Sequence, residues 1–132
     1  VDRKRQVIMS YQAFLIALGQ MASSKKARII VENHFIIIDE SPEGWDFSTI
    51  VFQGEGQLPS EIRSCVSPSG SLHTQDSGFH LKMDATGNAL TLHHQAVLQK
   101  GKYIPFRRHL QLFVSAAAEW KEVLLNLAMQ RS

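Results

Sequence analysis

The chain has 132 residues, 44% hydrophobic side chains and a formal net charge of +2, which fits one globular domain and excludes a composition built to bind polyanions. Its single cysteine, Cys65, excludes an intramolecular disulfide and favours a reducing compartment. The longest apolar runs are far too short to cross a bilayer and no signal peptide is visible, so we expect one domain over residues 1–132 with no membrane insertion.

The first segment, residues 5–23, has the pattern of an amphipathic helix. Apolar side chains recur at helical spacing from Ile8 through Tyr11, Leu15 and Leu18. The polar run at 23–26 ends this pattern, so we predict that the helix stops there.

Three strands are predicted next, because the following residues are rich in β-branched and aromatic side chains. A turn composition at 41–44 separates the second strand from the third. The predicted strands are 28–31, 34–39 and 45–53. The second contains Phe35, Ile36, Ile37 and Ile38, which are apolar on both faces. Only one face of this strand can pack under the helices, so the other face needs a cover. That cover is either a partner subunit or a bound strand, or the chain's own elements, which would then bury both faces of the strand.

A short helix beginning near Pro59 and a β-hairpin are predicted in the next part of the chain. The stretch 68–78 is rich in Ser, Gly and Pro and predicts a loop. The hairpin strands are 79–84 and 89–94, joined by the turn 85–88, where Gly and Asn suit positive φ. This register pairs Met83 with Leu90, Leu81 with Leu92 and Phe79 with His94 on one face, and Lys82 with Thr91 and His80 with His93 on the other.

The last segment, residues 105–129, predicts a long helix. Its apolar residues alternate in steps of four and three, which places them on one stripe. They are Phe106, Leu110, Phe113, Ala117, Trp120, Leu124 and Leu127. The element order is therefore αβββαββα, and the fold class is α+β, with an antiparallel sheet packed by an N-terminal and a long C-terminal helix.

Residue patterns for catalysis or cofactor binding are missing from the sequence. His93 and His94 are neighbours on a strand, so they point to opposite faces and cannot bind one ion together. Cys65 has no adjacent activating motif, and there is neither a P-loop nor a hydrolase elbow. We therefore expect a protein that is not an enzyme and binds no metal or cofactor.

From residue 78 onward the chain resembles the class I type III secretion chaperone family, of the Tir-chaperone type. The resemblance rests on a hairpin motif, on a motif of the last helix and on the element order. The hairpin motif is Leu81, Asp84, Gly87, Leu90 and Leu92, and the helix motif is Phe113, Val114, Ala117 and Trp120.

The resemblance implies an ATP-independent chaperone of the bacterial cytoplasm, associated with virulence. Such a protein binds a secreted effector segment in extended form and keeps it competent for export. We assign effector binding to Phe14, Leu15, Leu18, Phe35, Ile37 and Phe47, and a dimer interface to Ile62, Cys65, Leu90 and Leu92.

Two features depart from the family pattern. The chain is mildly basic where the family is typically acidic, and the second helix, which usually contributes to dimerisation, is short. Both a homodimer and a heterodimer with a related chaperone therefore stay open.

An alternative function is a regulator that binds transcription proteins or nucleic acid through basic clusters such as Arg3–Arg5 and Arg107–Arg108. The absence of any helix-turn-helix, zinc or RNP signature argues against nucleic acid.

Overall fold

The computed structural model describes residues 11–56, 58–63, 79–97 and 103–130. The order of elements is the predicted αβββαββα, and the α+β fold class is confirmed. Cys65, the loop at 68–78 and the first turn of the predicted N-terminal helix lie outside the described residues. The elements are α1 (Tyr11–Ser24), β1 (Lys26–Val31), β2 (His34–Ser41), β3 (Gly44–Gln53), α2 (Ser60–Arg63), β4 (Phe79–Met83), β5 (Ala89–Val97) and α3 (Tyr103–Gln130).

The five strands form one antiparallel sheet in the order β1-β2-β3-β5-β4. The β4–β5 hairpin has the predicted register, with Leu81 opposite Leu92 and His80 opposite His93. Its turn is closed by Asp84, whose Oδ1 accepts hydrogen bonds from the backbone N–H of Asn88 at 2.9 Å and of Ala89 at 3.2 Å. The Asp and Gly of the hairpin motif therefore shape the turn.

Both long helices cover one face of the sheet, with α1 over β1 and α3 over β3. Phe14, Ala17 and Met21 are the buried residues of α1. From α3 the predicted stripe is buried at Phe106, Leu110, Phe113, Ala117 and Leu124, while Trp120 and Leu127 are half-buried against this core. Aromatic rings connect the layers, since Phe106 lies 6.0 Å from Phe47 and 5.3 Å from Trp45 between ring centroids.

The opposite face of the sheet has no helix over it in the described part of the chain. Strand β2 alternates between buried residues on the helix side and more accessible residues on this side. The apolar second face of β2, which the sequence singles out, is thus exposed within the described residues, at Phe35 above all.

Candidate functional site

The residues predicted to bind an effector divide into core and surface. Phe14 and Phe47 are 2% and 0% exposed, because both side chains point between the sheet and the helices and pack on Phe106. Their assignment to a binding surface is corrected. Leu15 and Phe35 are exposed at 46% and 52%, respectively, and Leu18 and Ile37 are half-buried.

The residues predicted to form a dimer interface also need correction. Leu90 and Leu92 are fully buried because they lie on the sheet face that the helices cover, and Ile62 is fully buried beside them in the same core. Their side chains are packed inside their own chain, so they do not offer a surface to a partner. Cys65 lies outside the described residues.

One exposed apolar surface is on α1. The α1 surface comprises Tyr11, Leu15 and Leu18, which follow each other at helical spacing beside the buried face of the helix. The guanidinium of Arg107 lies 5.9 Å from the ring centroid of Tyr11 and 5.2 Å from that of Phe14, which is within cation–π range. A positive charge therefore flanks the α1 surface.

A second apolar surface is the open sheet face, which we define by Ile30, Phe35, Ile37 and Ile50. Ile30 is directly opposite Phe35 on the neighbouring strand, and the two side chains are 69% and 52% exposed. The sequence analysis missed Ile30 and Ile50. The triplet Ile29-Ile30-Val31 contains a signal for Ile30, because three consecutive apolar residues on a strand must place the middle one on the opposite face.

The outer edge of β1 is partly closed by α1. The carbonyl of Lys25, just before β1, accepts a hydrogen bond from the N–H of Glu40 in β2. Because the direction of the backbone groups alternates along a strand, those at odd positions of β1 face β2 and those at even positions face outward. Gln20 Oε1 accepts the outward N–H of Arg28 at 2.7 Å, and Ser24 Oγ donates to the carbonyl of Lys26 at 3.2 Å. Beyond this point, the carbonyl of Arg28 and both backbone groups of Ile30 face outward with no bonding partner among the described residues.

Charges around this edge are mostly positive. Lys26 and Arg28 lie on the exposed side of β1, and Nη1 of Arg28 is 3.6 Å from Oδ1 of Asp39. At the other side of the open face, the rings of His80 and His93 stack at 5.5 Å. Burial, together with the nearby charge of Lys82, lowers the pKa of His93. The basic side chains of β1 can therefore attract an acidic partner, whereas His93, with its lowered pKa, adds little positive charge.

The described residues contain no group of three or more His, Cys, Asp or Glu side chains positioned to hold a metal ion. Within the same residues, no helix is long and apolar enough to span a membrane.

Neither a protein-family model nor a curated protein sequence matches the chain. Its fold is similar to a chain in the structure of the heterodimeric ExoU–SpcU complex from the type III secretion system of Pseudomonas aeruginosa. The match has a TM-score of 0.55 and 15% sequence identity, and it covers 87% of this chain and 95% of that chain. The chain thus shares its fold with a chain of that complex. The assignment to the Tir-chaperone class stays a prediction.

Proposed function

We propose that the chain is an ATP-independent chaperone that binds an extended segment of a secreted effector in the bacterial cytoplasm. It keeps that segment unfolded and ready for type III export. The observation that supports this best is a β1 edge that is only partly closed among the described residues, together with two exposed apolar surfaces, on a fold shared with a chain of a type III secretion complex.

An extended peptide fits the β1 edge because its backbone can complete the hydrogen bonds that β1 leaves open. Its alternate side chains would then lie on the open sheet face, where Ile30 and Phe35 are exposed. Such binding uses hydrogen bonds and apolar burial alone and needs neither nucleotide nor metal. The protein is accordingly proposed to be non-enzymatic.

Dimerisation, with a second copy or with a related chaperone, belongs to the same proposal. The α1 surface lies on the helix side and the open sheet face lies on the other side of the sheet. Two apolar surfaces on so small a chain can bind two partners, one of them the effector.

Purification of the tagged chain from its native host, with mass spectrometry of bound proteins, tests the proposal. The captured protein should be exported by type III secretion, and deleting the chain should reduce that export. Capture of RNA polymerase components, or of nucleic acid with a strong salt dependence, would instead support a regulator.

Two variants test the β1 edge directly. Ile30→Pro removes an outward N–H while keeping every β1–β2 hydrogen bond, because proline is tolerated at an edge position. Ile30→Ala shortens the same side chain and keeps the N–H. If the proline variant captures less of the exported protein than the alanine variant does, strand addition at the β1 edge is supported. If both variants capture equal amounts, it is contradicted.

A further inference from the structure

Strands β2 and β3 separate near one end of the sheet. Their pairing extends from Ser41–Gly44 to Ile37–Ser48, and next to it the hydroxyl of Thr49 donates to the Phe35 carbonyl at 2.8 Å. On its other side, β3 shifts register against β5 between Ile50 and Phe52. A bulge of this kind bends a strand, and this one lies at the end of β3 where the pairing with β2 has stopped.

The separation leaves a depression, the β2–β3 groove, with a volume of about 500 Å³. Its walls are mainly apolar and include Phe35, Ile37, Ile50, Val51 and Phe52. Phe35 and Ile50 are about half exposed, so the groove opens onto the open sheet face. This volume is in the range of pockets that bind small ligands and leaves ample room for an apolar side chain of a bound peptide.

Lys121 belongs to α3, on the helix-covered side of the sheet, and lines the groove where the pairing of β2 and β3 stops. It is the one charged residue among the described lining residues. Its side chain is exposed, and no ion pair reaches it within the described parts of the chain. An ammonium group beside an apolar wall favours a ligand that carries a carboxylate next to an apolar group.

We propose that the β2–β3 groove holds one apolar side chain of the secreted segment, and that Lys121 selects an acidic residue adjacent to that side chain. This inference rests on the function proposed above and adds a sequence preference to it. A second copy of the chain is a poorer occupant, because the chain itself carries a net charge of +2 and the groove is positive.

A library of random short peptides displayed on phage, selected on the full chain, is the probe. The wild-type protein should enrich peptides with Asp or Glu beside a large apolar residue. Lys121→Glu should lose this preference or reverse it to Lys or Arg. Lys82→Glu is the matched control, because it makes the same charge change on the open side of the sheet but outside the groove.

The affinity of one enriched peptide for the wild type and for each variant then measures the contribution of the Lys121 charge and of the apolar wall. Lys121→Glu should bind it about fivefold more weakly, as expected for a lost exposed ion pair. Ile50→Ser should bind it roughly tenfold more weakly through the lost apolar contact, and Lys82→Glu should bind it as the wild type does.

The inference is overturned if wild type and Lys121→Glu enrich the same sequences, or if no acidic preference appears. Saturable binding of decanoate without any peptide enrichment would overturn it too, since the groove would then be a fatty-acid site. If an exported protein is captured equally by wild type, Lys121→Glu and Ile50→Ser, the groove is not its site while the proposed function stands. If wild type captures no exported protein, the proposed function itself fails.

Discussion

Two neighbouring histidines on β5 illustrate how one residue step changes a side chain's surroundings. His94 is buried under α3, where its Nε2 lies 3.2 Å from Nδ1 of His109, and its ring stacks 4.0 Å from that of Phe79. His93 faces the other side of the sheet and stacks on His80. The hydrogen bond between His94 and His109 requires one neutral acceptor nitrogen, so the packed state disfavours protonation of both rings.

Acid should begin to destabilise the fold just below the ordinary pKa of histidine. Burial lowers the pKa of three histidines. Repulsion from a nearby positive charge lowers it further in each case: Lys121 acts on His34, Lys82 and His80 act on His93, and Arg108 acts on His109. The folded chain therefore binds fewer protons than the unfolded chain once the pH falls below the ordinary histidine value of 6.5. Stability is complete above that pH and declines below it.

Urea unfolding at about pH 7.5 and about pH 5.5 measures this decline. The midpoint should be lower at the acidic pH, and His109→Gln should reduce the difference between the two midpoints. Identical midpoints for the wild type at both values would contradict the assignment.

Trp120 should contribute less to stability than a fully buried aromatic residue. It belongs to the predicted stripe of α3 but is half-buried, whereas Phe113 is fully buried. We expect Trp120→Ala to lower the free energy of unfolding by about 2 kcal/mol and Phe113→Ala by about 3–5 kcal/mol. Urea titrations that give the larger loss for Trp120→Ala would show that it carries more of the core than its exposure indicates.

At the level of elements, the hairpin turn and α1 contain glycines with opposite roles. Gly87 closes the β4–β5 turn with φ of +75°, a backbone conformation that disfavours any side chain. Gly19 lies inside α1, where an added methyl group would meet no atom within 4 Å.

Gly87→Ala should therefore lower the free energy of unfolding by about 1–2 kcal/mol, because alanine is strained in this conformation. Gly56→Ala is the control, since the φ of Gly56 is not positive and an added methyl group there would meet no atom within 4 Å. Thermal or urea unfolding that finds the two variants equally stable would show that the turn relaxes at no cost.

Gly19→Ala should raise the free energy of unfolding by about 0.5–1 kcal/mol, since alanine has the higher helix propensity and the site has room for it. A loss of stability would indicate a contact at this position that the folded chain does not show. Circular dichroism with urea titration distinguishes the two results.

The sequence predicted the order of elements and the hairpin register, because both follow from local periodicity and turn chemistry. It did not predict which apolar residues would be accessible. Phe14 and Leu15 are adjacent on a helix that is apolar nearly all round, so periodicity alone could not orient them. Leu90 and Leu92 were placed on the correct face of their hairpin, but whether α3 or a partner covered that face depended on tertiary packing.

At the scale of the whole molecule, the exposed apolar surfaces should make the isolated chain bind hydrophobic dyes or associate. The double variant Ile30→Lys and Phe35→Lys places charge on the open sheet face at two exposed, directly opposed positions. We expect it to reduce dye fluorescence and the mass measured by light scattering while leaving circular dichroism unchanged. A wild-type chain that is a monomer at micromolar concentration and binds no dye would contradict this expectation.

The partial closure of the β1 edge by Gln20 and Ser24 bears on how quickly a guest strand can leave. Side chains of α1 already bond the Lys26 carbonyl and the Arg28 N–H. The continuous run of outward groups left for an added strand therefore extends only from the Arg28 carbonyl to Ile30. Each hydrogen bond of the resulting ladder contributes roughly 1 kcal/mol, so the short length limits the lifetime of the bound state. The bound strand can then dissociate by breaking these hydrogen bonds one after another from one end, and a force that pulls on the strand has to break only a few of them. Replacing Gln20 with alanine would lengthen the available ladder and should slow release.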